Sequence, residues 1–147
     1  MRRTYHEEAL RWLTHARDEL RDADELRKRG RFYLALFHFQ QAAEKALKAY
    51  LLVSVKSADV LRTHSITELL HTATEMDADF RRVEMSKRLD QYYVPTRYPN
   101  GLPGGVPSRY FDDPEEAAEA AELARQVVEL AAAKLEQDSA PAGPSPR

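Results

Sequence analysis

Glycine and proline, the residues that interrupt helices most strongly, are confined to a few places in this 147-residue chain. Of its five glycines, three (Gly101, Gly104, Gly105) fall together, and Gly30 stands alone near the start. Four of the eight prolines (Pro95, Pro99, Pro103, Pro107) share the stretch with the clustered glycines, and three more (Pro141, Pro144, Pro146) close the chain. Everything between is free to run as long helices, and no segment alternates polar and apolar residues as a strand would.

Periodicity fills in the helices. Tyr5, Ala9, Trp12, Leu13, Ala16, Leu20, Ala23 and Leu26 recur at steps of three and four, which predicts a helix over about 4–28. Thr4 and Glu7 have the spacing of a capping box, and Gly30 is the expected stop. A second, more apolar helix is expected over 31–56, antiparallel to the first and central enough to touch several neighbours. A shorter helix should start near Thr63 or Ser65, carrying Ile66, Leu69, Leu70 and Ala73. Another is expected over 78–93 with Phe80, Val83, Leu89 and Tyr92 or Tyr93 on its apolar side. Asp112 or Asp113 before Pro114, with Glu115 and Glu116 next, marks the start of the last helix, running to about Gln137. The fold class is therefore all-α, an antiparallel bundle of about five helices forming one domain over 1–138. A long loop lies at about 94–112 and a disordered tail at 139–147.

Composition excludes several functions. The chain has no cysteine, so disulfides, thiolate nucleophiles and Cys-based zinc sites are ruled out. Its five histidines lack metal-ligand spacing, and no phosphate loop or cofactor motif is present, so no metal and no cofactor is expected. No apolar run reaches the ~20 residues of a membrane helix, and the basic start lacks the apolar core of a signal peptide. A cytoplasmic protein without membrane contact is the expectation. The formal net charge of -2 hides an uneven distribution: residues 81–110 carry +4 and residues 111–147 carry -6. Such regions attract phosphate, or each other across an interface.

One stretch stands out, Phe37-His38-Phe39-Gln40-Gln41-Ala42-Ala43-Glu44-Lys45-Ala46-Leu47-Lys48. A structural role accounts for much of it. Alanines let helices approach closely, Glu44 and Lys48 form an i,i+4 pair worth about 0.2–0.5 kcal/mol, and Gln40 and Gln41 can bond loop backbone lying over the helix.

The same stretch resembles the signature helix of the HEPN family (higher eukaryotes and prokaryotes nucleotide-binding domain), with Gln40, Gln41, Glu44, Lys45 and Lys48 at signature positions. Two further matches follow in order: Thr63-His64-Ser65-Ile66 with Glu68-Leu69-Leu70, and Tyr93-Val94-Pro95-Thr96-Arg97-Tyr98-Pro99. The resemblance spans about residues 5–136. It implies a helical bundle that often forms a homodimer and is often paired with a separately encoded nucleotidyltransferase, in modules of toxin–antitoxin type. Many relatives are metal-independent endoribonucleases, and others bind nucleotide or RNA.

The ribonuclease branch carries an arginine with a histidine a few residues later. Such an arginine polarises the scissile phosphate while the histidine moves a proton near neutral pH. Arg97 matches the arginine, but the histidine positions hold Leu102, Pro103 and Gly104, and no histidine follows His71. The motif is incomplete, so the standard ribonuclease mechanism is not carried over. A nucleotide or phosphate site is expected at Arg97, Tyr98, Asn100, Tyr93 and Arg109, because arginine offers a planar fork and tyrosines stack on bases. Two alternatives stay open. One is an endoribonuclease using Arg97 with His64, Tyr98 or Asn100; the other is a purely structural interaction protein whose Arg97 pairs with Asp90 or Glu44. Dimerisation is also expected because the second helix is too apolar for a single neighbour.

Overall fold

The computed structural model describes residues 4–139, all-helical with no strand among them. The 139–147 tail, except for Ser139 at the end of the last helix, lies outside the described residues.

Helix α1 (Tyr5–Lys28) starts at Thr4, whose Oγ1 accepts the Glu7 N–H at 3.0 Å and donates to the Glu7 carboxylate at 3.1 Å. It ends where Gly30 adopts a φ of 76° and Arg31 N–H reaches back to the Leu26 carbonyl, the left-handed stop that glycine favours. Helix α2 (Phe32–Val55) turns back antiparallel. It packs against α1, α3 (Ile66–Met76), the 78–92 segment, α4 (Pro107–Tyr110) and α5 (Pro114–Ser139). Its apolar character is thus covered within its own chain, and the expectation that one neighbour could not suffice is met without a second copy. Ala35, Ala42, Ala43, Ala46 and Ala49 of α2 are fully buried, as are Ala117, Ala124 and Ala131 of α5. Side chains this small let the helices approach closely and leave specificity to the few large residues, Phe39, Leu36 and Leu47.

The 78–92 segment departs from the expected α-helix. Ala78–Tyr92 runs as 3₁₀ turns in two stretches joined at Val83, whose φ of -113° and ψ of 23° break the helix. Its buried residues, Phe80, Val83, Ser86, Leu89 and Tyr92, follow one another at every third position. That period of three matches 3.0 residues per turn and would drift off one face of an α-helix. The 94–112 loop also differs from a structureless expectation, since Pro99–Gly101 forms one 3₁₀ turn and α4 one α turn. It is pinned to the bundle by buried Thr96, Leu102, Pro107 and Phe111. An ion pair joins the basic middle to the acidic end, Arg88 with Glu119 at 2.8 Å, and beside it the neutral Tyr92 hydroxyl donates to Glu116 at 2.8 Å.

Between α1 and α2, Glu19 accepts from His38 Nδ1 at 2.6 Å and from Lys45 Nζ at 2.5 Å. Burial pushes this carboxyl up, but the His38 and Lys45 bonds outweigh it and hold Glu19 below its ordinary 4.5. A carboxyl depressed in the folded state stabilises the fold above its unfolded pKa, and that contribution is lost as pH falls through the folded value. Wild type should therefore lose more stability than Glu19→Gln between about pH 5 and pH 3. Parallel losses in denaturant titrations at the two pH values would contradict this.

Candidate functional site

The signature residues of α2 build a hydrogen-bonded platform beneath the 63–65 loop. Gln40, fully buried, donates to the His64 carbonyl at 3.1 Å and to Asp90 at 3.3 Å. Gln41 donates to Gln40 Oε1 at 2.8 Å. The Glu44–Lys48 pair is not the surface pair its spacing suggested. Both side chains are only 2% exposed, Lys48 Nζ donates to Glu44 Oε2 at 2.8 Å, and the Trp12 ring lies 5.7 Å from that ammonium. Lys45 points the other way, to Glu19.

His64 stands on this platform. Its Nδ1 lies 3.3 Å from Glu44 Oε2, while its side chain is 57% exposed. The His64 ring stacks on Tyr93 at 5.3 Å and 16°. Tyr93 also faces Phe37 at 6.4 Å. Arg97 completes the group: its Cζ lies 4.3 Å from the Tyr93 ring, 4.9 Å from Phe37 and 5.1 Å from Tyr98. Its Nε donates to the Tyr93 carbonyl at 2.7 Å, one turn back.

Arg97 therefore pairs with neither Asp90 nor Glu44. Asp90 is taken up by the start of α3, where it accepts the Ile66 and Thr67 N–H groups at 2.8 and 2.9 Å. Glu44 is taken up by Lys48 and His64. Among the described residues no carboxylate neutralises Arg97, and both of its terminal nitrogens are left to meet an anion. Rings on several sides fix the guanidinium without cancelling its charge.

Of the site residues expected from sequence, the structure brings together Arg97, Tyr93, Tyr98 and His64. Asn100 and Arg109 are exposed and make no side-chain hydrogen bond or ion pair among the described residues. Tyr110, 61% exposed, meets Phe111 edge-on rather than Arg97. Tyr92 is buried against Glu116; burial and that carboxylate both push its hydroxyl well above the usual tyrosine value. Phe37 was the residue missed. Its signal was its place four residues before Gln41, on the same edge of α2. Among the described residues no three His, Asp or Glu side chains gather as metal ligands, and no helix is long and apolar enough to cross a membrane.

Comparison with known proteins matches the helical fold. The chain resembles the crystal structure of TT1696 from Thermus thermophilus, with 38% identity, a TM-score of 0.76, and coverage of 86% of this chain and 97% of that one. It also resembles the crystal structure of ST0689, an archaeal HEPN homologue, with 29% identity, a TM-score of 0.69, and coverage of 92% and 99%. A search of curated proteins found no match. The HEPN domain profile matches residues 9–135, from α1 almost to the end of α5. That span holds the α2 platform, the histidine it supports and the arginine stacked beyond it, and on this match the chain belongs to the HEPN domain family.

Proposed function

We propose that this HEPN protein binds the phosphate groups of nucleotide or RNA at Arg97, with Tyr93 and Tyr98 beneath it and Asn100 and Arg109 in the same exposed segment. It acts as a homodimer of one helical domain per chain (residues 1–138), beside a separately encoded nucleotidyltransferase in a toxin–antitoxin-like pair. The dimer and the partner rest on family membership. Phosphate binding rests on one observation: an arginine held on three aromatic rings with no carboxylate to neutralise it among the described residues.

Titrating short RNA and mononucleotides against wild type and Arg97→Ala tests this. The variant should bind about 10–100-fold more weakly, the worth of a charge-assisted hydrogen bond or two. Its slope of log affinity against log salt should fall by about one. Arg97→Lys, which keeps the charge but not the fork, should lie between them. Equal affinity in wild type and Arg97→Ala would remove the site.

The His64–Tyr93 stack favours a second reading, RNA cleavage. With Glu44 accepting from Nδ1–H, Nε2 is the nitrogen free to take a proton. In that reaction the 2′-oxygen bonds to the adjacent phosphorus and His64 Nε2 takes the 2′-hydroxyl proton. The P–O5′ bond breaks, the 5′-oxygen takes a proton from water, and Arg97 stabilises the charge on phosphorus. The same RNA incubated with EDTA distinguishes the readings. Cleavage lost in both Arg97→Ala and His64→Ala supports the second; intact RNA over a broad substrate panel, with binding retained, leaves binding alone.

A further inference from the structure

Beside the His64–Tyr93 pair lies a hollow of about 340 Å³, lined by Thr63, His64, Ser65, Glu68, Asp90 and Tyr93. Its chemistry is unlike that of Arg97. Among the described residues it is lined by two carboxylates and no lysine or arginine, so it disfavours phosphate. The His64 ring, stacked on Tyr93 and 57% exposed, offers instead an aromatic surface suited to a planar base.

The two carboxylates are not equivalent. Both oxygens of Asp90 are occupied by donors from Gln40, Ser65, Ile66 and Thr67. Glu68 is exposed, and its Oε2 accepts the Thr63 hydroxyl at 2.5 Å, which leaves Oε1 without a donor among the described residues. A carboxylate accepts hydrogen bonds and donates none. Of the four RNA bases, only guanine presents two adjacent donors, its N1–H and 2-amino group. Adenine and cytosine place an acceptor nitrogen beside their amino group, and uracil flanks its single N–H with two carbonyls.

We infer that this hollow selects guanosine phosphates, with Glu68 accepting from the N1–H and 2-amino edge, the base on the exposed His64 ring beside Tyr93, and the phosphate on Arg97. The inference rests on the phosphate-binding reading above. It divides the work by charge: the acidic hollow takes the neutral base and the unpaired arginine takes the anion, with Tyr93 touching both. The guanosine can be a free mononucleotide or one residue of an RNA strand.

The experiment measures Kd for GMP, IMP and AMP, and for two short RNAs differing only by G or A at one position. Wild type, Glu68→Gln and Arg97→Ala are compared, with circular dichroism confirming helix content. Wild type should prefer GMP over AMP, or the G strand over the A strand, by about tenfold. IMP, which keeps N1–H but lacks the 2-amino group, should fall between GMP and AMP. Glu68→Gln should abolish the preference while retaining binding, and Arg97→Ala should weaken every ligand alike. A preference confined to the strands identifies RNA as the source; one shared by mononucleotides identifies the free nucleotide. Arg97-dependent binding that ignores the base, or a preference unchanged in Glu68→Gln, overturns the inference and leaves phosphate binding standing. No binding of any ligand overturns both.

Discussion

Replacing Lys48 with alanine should destabilise the fold by about 3–5 kcal/mol, the cost of leaving a buried charge without its partner. Glu44 is 2% exposed, and its main cation is Lys48 Nζ at 2.8 Å. His64, at 3.3 Å and largely in solvent, cannot replace an ammonium buried beside Trp12. The double variant Glu44→Leu/Lys48→Met removes both charges and fills similar volume. It should stay within about 1 kcal/mol of wild type, because desolvating the ion pair offsets much of its attraction. Urea titrations of the wild type, single and double variants decide the matter. Losses of equal size in the single and double variants would show that packing, not charge compensation, sets the stability. The double variant should also free His64, since its Nδ1 loses the acceptor that orients it. Any RNA cleavage should then fall without a matching loss of stability.

The Glu44–Lys48 pair marks a boundary between what was legible in the sequence and what was not. Both ends of α1, the central place of α2 and the start of α5 follow from caps, glycine and apolar spacing, which act within a few residues. The 78–92 segment was readable too, had its period been taken as three, because Phe80, Val83, Leu89 and Tyr92 all differ by multiples of three. The environment of Glu44 and Lys48 was not. Their i,i+4 spacing is the same whether the pair faces water or Trp12, and only the docking of α1 over α2 decides between them. Arg97 is a similar case. Its likeness to the family arginine marks it as a candidate, but its lack of a carboxylate among the described residues depends on where Asp90 and Glu44 are spent. Likewise, the missing histidine after Arg97 did not mean that no histidine lies close. His64, thirty-three positions earlier in the chain, reaches the same tyrosine ring because Gln40 and Asp90 fix the 63–65 loop.

Asp90→Ala should cost about 2–4 kcal/mol, more than most substitutions at a half-buried position, since it removes a charged acceptor from several donors at once. Asp90 accepts the Ile66 N–H at 2.8 Å, the Thr67 N–H and hydroxyl at 2.9 and 2.8 Å, and the Ser65 hydroxyl and Gln40 amide at 3.3 Å each. It ties three elements together, and its negative charge sits at the positive end of α3. Asp90→Asn separates the acceptor from the shape. Asparagine has the same size but turns one oxygen into an amide that faces the Thr67 donors, so it should recover less than half of the loss. Hydrogen exchange should show faster opening of the first turn of α3 in both variants, ahead of any change in α1 or α5. Wild-type stability in Asp90→Asn would mean that packing alone holds the loop and that the acceptor contributes nothing. Both variants should also weaken the base preference at the hollow. His64 is held against Tyr93 only while its backbone is fixed by Gln40, and Gln40 is set by Asp90.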